Sequence, residues 1–457
     1  MRVAWFAPFA DEEAPLDAPD FACDVLPLLT EHEIEVFAAS GAVAPASRHT
    51  RVRDAYDVVW RHLQRPFDVF VYHLSNRPEH EYVWGYLFNY PGLLVLHEGH
   101  LHHSRARVLL DRLEPKLREY GDELAYNHQI DAALGQPLAS FTGPALRAWP
   151  MRRAAIASAR TVAVHDDALA EVIAEENPAA AVAVIRPGIA DPGTHATLRS
   201  TQEAAALRER VGVPADGVLL GLLGIAGRAG RIPEVLQAMS SLRTTNPHLY
   251  LLVAGREAGD CNIREEVRRR GLTDRVSVVE MAKRTLPSFL GACDIALSLA
   301  WPPDANTAVN WLRPLACGLP TIVTEGTENA RLPLLDPRTW TVGAIGDTPS
   351  ADAIGVSVDL SSERESLKLA IARLSADFNL RRRIGQAGRA WWSERHTLGH
   401  MAADYVATMA RTLRHRPLPA ALPKHLRPDV FEHARDLAQA AGISLPPELA
   451  SRHKGTE

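Results

Sequence analysis

The stretch GVLLGLLGIAGRAGRIPEVLQAM (217–239) reads as one unit: an apolar run, a glycine-spaced loop and the opening of an amphipathic helix. A continuous apolar run bounded by turn residues is a strand buried on both faces. Outward from it the alternation continues. LYLLVAGR (249–256), RVSVVEM (275–281), CDIALSLA (293–300) and PTIVTE (320–325) are further strands, with helices predicted at 231–243, 262–270, 286–291 and 307–317. Helices at 362–375, 378–394 and 398–413 follow. Upstream the same pattern has already run once. Strands are expected at residues 2–8, at IEVFAAS (34–40), at FDVFVYHL (67–74), at the start of PGLLVLHEGHLHH (91–103), at TVAVHD (161–166) and at AVAVIRPGI (181–189). Helical spacing fills 19–31, 54–62, 80–89, 105–134 and 146–159. Strands alternating with helices imply a parallel sheet covered on both faces. The restart after a polar, proline-marked stretch implies two such α/β halves. The organisation expected is a first half at 1–190, a connection at 191–215 and a second half at 216–397. The helix 398–413 crosses back onto the first half, and 414–457 is a proline-rich tail with a short helix.

Composition narrows the function. Of 457 residues, 46% are hydrophobic and 23% charged, the mix of a soluble globular chain. A formal net charge of -5 argues against a general nucleic-acid binder, whose mark is a basic excess. The four cysteines are scattered without a CxxC pair, as in a reducing compartment. The N-terminal apolar run is interrupted by Asp11, Glu12 and Glu13 too early for a signal peptide. No apolar run approaches the length of a membrane span. A cytoplasmic protein is expected, and peripheral contact with a membrane surface is not excluded.

Ligands of open α/β sheets bind outside the carboxyl ends of the strands. Two halves facing each other would place both rims on one cleft, suited to a two-substrate transfer that excludes water. In the second half, Gly224, Gly227 and Gly230 surround Arg228 and Arg231 at a strand-to-helix junction. Backbone N–H groups and arginines there suit a phosphate; a flexible loop with two solvated arginines is the alternative. Asp304, Asn306 and Thr307 precede or open the 307–317 helix. They either meet a ligand's hydroxyls and phosphate or cap the helix. In the first half, His97, Glu98, His100, His102 and His103 follow a buried strand. They line a ligand-binding rim, satisfy a structural loop, or hold a metal; without an accompanying Cys or Asp the metal reading is the weakest of the three. Arg186 reads as a surface residue near the hinge, and Trp391 and Trp392 as packing groups.

Two stretches carry a resemblance. FDVFVYHLSNRPEHEYVWGYLFNYPGLLVLHEGHLHH (67–103) resembles a subgroup of the family 4 (group 1) glycosyltransferases at Asn76, His80, Pro91, Gly92, His97, Glu98, Leu101, His102 and His103, with Glu98 where Asp is usual. RIPEVLQAM (231–239), LPSFLGACDIALSL and RPLACGLPTIVT are similar to that family's donor-domain signatures. The resemblance covers roughly residues 1–413. It implies the GT-B fold, two Rossmann-like domains across a cleft, and retaining transfer of a hexose-type sugar without a metal or other cofactor. It implies a nucleotide-diphospho-sugar held by Gly224, Arg228, Arg231, Asp304, Asn306 and Thr307. His97 and Glu98 would be the catalytic pair, and Asp20, Asn76, His80, His102 and His103 would face the acceptor.

The departures fall on charged positions. Gly230 stands where the family places a diphosphate-binding Lys, and Asn306 where it places a Glu. Arg313 occupies the second acidic position of the general pattern, as in the subgroup. Leu16, Asp17, Ala18, Pro19 and Asp20 align with the family's Ser-Gly-Ile-Ala-Asp, of which only Asp20 remains. Replacement of the lost Lys by Arg228 and of the lost Glu by Asp304 is expected for an active enzyme. Without it the chain would be a degenerate homologue that binds a sugar or a partner.

Overall fold

The computed structural model describes residues 1–8, 24–39, 51–111, 113–128, 148–224, 226–255, 257–303, 307–326, 329–342, 352–418 and 421–427. Asp20, Asp304, Asn306 and the short helix expected at 430–441 lie outside the described residues.

The two apolar series become two seven-stranded sheets in which every neighbouring pair is parallel. The first contains β1 (Arg2–Phe6), β2 (Glu33–Ala38), β3 (Arg51–Asp54), β4 (Val69–Leu74), β5 (Leu93–Leu96), β6 (Thr161–Val164) and β7 (Val182–Val184), in the order β3-β2-β1-β4-β5-β6-β7. The second contains β8 (Val218–Leu223), β9 (Leu249–Ala254), β10 (Val276–Val279), β11 (Ile295–Ser298), β12 (Thr321–Thr324), β13 (Leu334–Leu335) and β14 (Gly355–Val358), in the order β10-β9-β8-β11-β12-β14-β13. In each sheet the first strand pairs with both the second and a later strand, so the order reverses beside it. That is the switch point where α/β ligands gather.

Both sheets are apolar on two faces because helices cover both. In β4, Val69 and Val71 pack on one side and Phe70, Tyr72 and Leu74 on the other. The helix Leu398–Thr412 lays Met401, Ala402, Tyr405 and Met409 against Val3, Trp5, Val71 and Val95 of the first sheet. Arg186 helps fix it there. Its guanidinium donates to both carboxylate oxygens of Asp404 at 2.9 and 2.8 Å, so it is a clamp rather than a bare surface residue. Trp392 is buried among Leu312, Leu315 and Ile354, away from solvent.

Four departures from the sequence reading have local causes. β3 was missed because Arg-Val-Arg-Asp is a charged edge strand without alternating apolar residues. β13 is too short to show a period, and β14 (Gly-Val-Ser-Val) too short to separate from a loop. In the described part of the helix expected over 19–31 there is one 3-10 turn, Leu26–Leu28, where Pro27 lacks the N–H that an α-helix would use. Finally, the polar connection contains two helices, His195–Arg199 and Gln202–Arg210. Leu198 and Leu207 pack there with Phe289 and Leu290 of the second half. The described part of the tail also folds back: Leu426 is buried in the first-half core, and His425 Nε2 lies 2.7 Å from a carboxylate oxygen of Glu123.

The halves touch at the carboxyl rims. Val309, from the helix Thr307–Cys317 of the second half, is buried in the first-half cluster with Val25 and Met401. Arg331 pairs with Glu171 across the junction at 2.8 and 2.9 Å.

Candidate functional site

β4, β5 and β6 lie side by side and parallel, so residues at their carboxyl ends come into register. Each apolar run there ends in a histidine: His73, His97 and His165. His73 Nδ1 is 3.1 Å from His97 Nε2, and His97 Nδ1 is 3.0 Å from His165 Nε2. His165 Nδ1 is 2.8 Å from the Ile185 carbonyl oxygen. A fourth ring, His80, is buried with Nδ1 2.8 Å from the His73 carbonyl oxygen.

Burial, and then the neighbouring histidines, push His73 and His97 well below the usual imidazole range. Burial also lowers His165 against its bond to Ile185, and takes His80 down to about 4. All four rings are therefore neutral near neutral pH, and neutral rings admit one tautomer set. His165 donates from Nδ1 to the carbonyl, so its Nε2 accepts from His97 Nδ1–H. His97 Nε2 then accepts from His73 Nδ1–H. The chain ends at His73 Nε2, a buried acceptor without a partner. Both ring nitrogens of His97 are thus engaged by histidines, and a ligand oxygen reaching either one displaces a bond.

Around this chain the other first-half residues sort into two groups. Asn76, Glu98 and His103 come together. The Asn76 amide donates to a Glu98 carboxylate oxygen at 2.9 Å, and its side chain lies 3.3 Å from His103 Nδ1. Asn76 Oδ1 also accepts from the Ser104 amide at 2.8 Å, which fastens the helix His102–Leu110 to the end of β4. His80 and His102 instead turn inward. His102 Nε2 is 2.6 Å from the Tyr120 hydroxyl in a buried pair. His97, Glu98, Asn76 and His103 therefore form the half-buried part of the rim.

In the second half, β8 ends at Gly224, whose φ of +125° requires glycine. A Cβ on Gly255, at the end of β9, would overlap the Gly224 carbonyl oxygen, so the two turns interlock. A Cβ on Gly224 would sit 3.3 Å from Asn310 Nδ2, which places the glycine turn against the helix Thr307–Cys317. Thr307 opens that helix and is buried. Arg313, one turn beyond Asn310, is lowered to about 10 by burial, against the pull of the first-half Asp24.

The two loop arginines are held by their own domain. The Arg228 amide donates to the Asp260 carboxylate at 3.2 and 3.3 Å, and its Nε to the Asp260 carbonyl at 3.1 Å. Arg231 takes the left-handed conformation, φ 60°, and pairs in a fork with Glu363, with Nε 2.6 Å from one carboxylate oxygen. That carboxylate raises the Arg231 pKa. Sequence reading missed His73, His165, Asn310, Asp260 and Glu363. The repeated His at the end of three apolar runs was a usable signal for the first two; the others carry none.

Two facing parallel-sheet domains with both carboxyl rims at one junction constitute the GT-B architecture. Solved structures share it across nearly their whole length. A glycosyltransferase from Rickettsia africae is 13% identical with a TM-score of 0.59, over 91% of this chain and 99% of that one. HepE from Anabaena, solved with UDP-glucose, is 14% identical at 0.58, over 90% and 100%. The catalytic domain of starch synthase IV from Arabidopsis thaliana, bound to ADP and acarbose, is 11% identical at 0.59, over 91% and 99%. Residues 206–391 match the family model described as glycosyl transferases group 1. Through that second half the chain is similar to the group 1 glycosyltransferases. No curated protein matches its sequence. Among the described residues no group of His, Cys, Asp and Glu is placed to hold a metal ion.

Proposed function

We propose that the chain transfers a sugar, with retention of anomeric configuration, from a nucleotide-diphospho-sugar to a hydroxyl-bearing acceptor. The observation that carries this reading is the helix Thr307–Cys317, which abuts the Gly224 turn at Asn310 and packs into the first half through Val309. In this reading the diphosphate lies on the amides of the Gly224–Arg231 loop and the start of the helix, where backbone N–H groups favour negative charge. The sugar faces His97 and Glu98, and the acceptor approaches by Asn76 and His103. Asp304 and Asn306 would complete the donor contacts. HepE, solved with UDP-glucose, shares the fold and supports a nucleotide sugar as co-substrate. A panel of nucleotide sugars, assayed for thermal stabilisation and for release of nucleoside diphosphate, tests the reading. Turnover with one donor, lost at least about tenfold in both Arg228→Ala and Asp304→Ala, is the expected result.

A second reading has its own observation. Arg228 and Arg231 are bonded to Asp260 and Glu363, and both nitrogens of His97 to histidines. Such a site holds its charges in internal bonds, as a degenerate homologue that only binds a sugar or partner would. Absence of turnover with every donor, together with saturable nucleotide binding, would select it.

The acceptor side also offers a surface. On the helix Asp57–Gln64, Trp60 and Leu63 are 65% and 71% exposed beside Arg61 and Arg65. Arg61 is paired with Glu35 and Arg65 with Glu33, so it is the exposed apolar stripe that suits a bilayer interface, and the acceptor in this reading is presented at a membrane. Cosedimentation with anionic vesicles should fall when Trp60 and Leu63 are both changed to Ser.

A further inference from the structure

The first sheet has a second functional end. At the amino ends of β6 and β7 a cavity of about 310 Å³ is lined by Arg160, Thr161, Arg414, His415 and Arg416, with Ala180 and Leu418 on its apolar side. Thr161 begins β6 and His165 follows its last residue. The cavity and the histidine chain are therefore a strand length apart, about 13 Å, at opposite ends of the sheet.

Among the described residues no Asp or Glu lines this cavity. Among the described residues none of its three arginines is in an ion pair. Arg160 Nε is buried without a hydrogen-bond partner. His415 is oriented by its Nδ1, 3.2 Å from Thr161 Oγ1. Three guanidinium groups at one cavity repel each other, and a buried N–H donor without an acceptor costs free energy. A chain of net charge -5 has ample carboxylates, yet none is placed here. An anion offsets both penalties.

We infer that this cavity binds a phosphate monoester. A carboxylate presents two oxygens and is matched by one arginine, whereas a phosphate monoester presents three terminal oxygens to donors arriving from several sides. The volume exceeds a bare phosphate and has room for a short organic group against Ala180 and Leu418. Bound there, the ligand joins Arg160 beside β6 to Arg414 and Arg416 on the strap that leaves the helix Leu398–Thr412. It thereby clamps the C-terminal segment onto the first half, independently of the donor cleft.

The test uses the full-length protein and two sources of the same chemistry. Glycerol 3-phosphate is the free probe, titrated by calorimetry. Phosphatidylcholine vesicles with and without phosphatidic acid are the lipid probe, read by cosedimentation. Arg160→Ala and the exposed Arg416→Ala should each weaken the probe that binds by at least about tenfold, equivalent to about 1.4 kcal/mol. Arg231→Ala, in the other domain, should leave that affinity unchanged. Bound probe should also slow tryptic cleavage after Arg414 in the wild type. Binding of glycerol 3-phosphate identifies a soluble ligand; binding of phosphatidic acid vesicles alone identifies a lipid headgroup. The inference is overturned if neither probe binds the wild type. It is also overturned if Arg416→Ala, folded by circular dichroism, binds as well as the wild type, or if Arg231→Ala abolishes the binding.

Discussion

The two rims of the cleft solve the same problem in opposite ways. The first-half rim is centred on neutral rings bonded in series, His73 to His97 to His165, with burial keeping them uncharged beside Glu98. The second-half rim is built from permanent charges, each held by a carboxylate or carbonyl of its own domain: Arg231 by Glu363 and Arg228 by Asp260. Neutral rings can exchange a hydrogen bond with a sugar hydroxyl at little electrostatic cost. An arginine held by a carboxylate can take a diphosphate only in competition with, or in addition to, that partner. In the proposed reading the first half meets the sugar and acceptor and the second the diphosphate, and the contrast orders the experiments that would break it.

The largest effect expected is on stability against pH. An unfolded histidine titrates near 6.5, and the rim histidines titrate lower in the folded chain. Between those values the unfolded chain binds more protons, so stability is full above about pH 6.5 and is lost as pH falls toward 4. His80, at about 4 when folded, contributes on the order of 3 kcal/mol of that loss. The thermal midpoint should fall steeply across this window, and His80→Gln should flatten the slope by about one proton. An unchanged slope would show that the rings are not held neutral.

Next comes His97→Ala. It removes the centre of the histidine chain and the ring that faces the sugar in the proposed reading, and should lower transfer about a hundredfold or more, as loss of a preorganised catalytic contact does. Measured nucleoside diphosphate release that is unaffected would move the chemistry elsewhere. His165→Asn is sharper, because it touches His97 from behind. If His165 only orients the ring, kcat should fall while donor KM stays constant.

Arg231→Ala leaves the buried Glu363 carboxylate without its fork. Stability should drop by about 1–3 kcal/mol in urea unfolding, the cost of an unsatisfied buried polar group. Calorimetry should show nucleoside diphosphate binding weakened about tenfold. Loss of stability without loss of affinity would make Arg231 a structural ion-pair partner only. The smallest structural effect is expected at exposed Arg228, where Ala should change stability by less than about 0.5 kcal/mol. Its effect on transfer then reports chemistry alone.

Much of the fold was legible from the chain. Buried parallel strands announce themselves as apolar runs such as VLLGLL and VFVYHL, and the helix Leu398–Thr412 shows one apolar stripe. Elements without such a pattern, β3 and β13, were not legible, because pairing with a neighbour rather than their own residues makes them strands. In the site, His97, Glu98 and His103 were readable from position after a strand, and Asn76 only from the family resemblance. The inward turn of His80 and His102 was not, since a buried and a rim histidine look the same in sequence.

What the sequence alone determined is the tandem alternation, and with it two parallel sheets whose carboxyl ends carry the histidines and the glycine turn. Periodicity is local, and burial of an apolar period needs no knowledge of distant residues. Only the tertiary structure decided which groups meet. Parallel pairing put His97 beside His165 and His73 two residues back against Val95, within reach of the His97 ring, though they are 24 and 68 residues apart in sequence. Helix packing brought Glu363 to Arg231 over 132 residues, and Asp260 to Arg228 over 32. A hydrogen bond or ion pair exists only within a few ångströms, and chain folding, not sequence spacing, sets that distance.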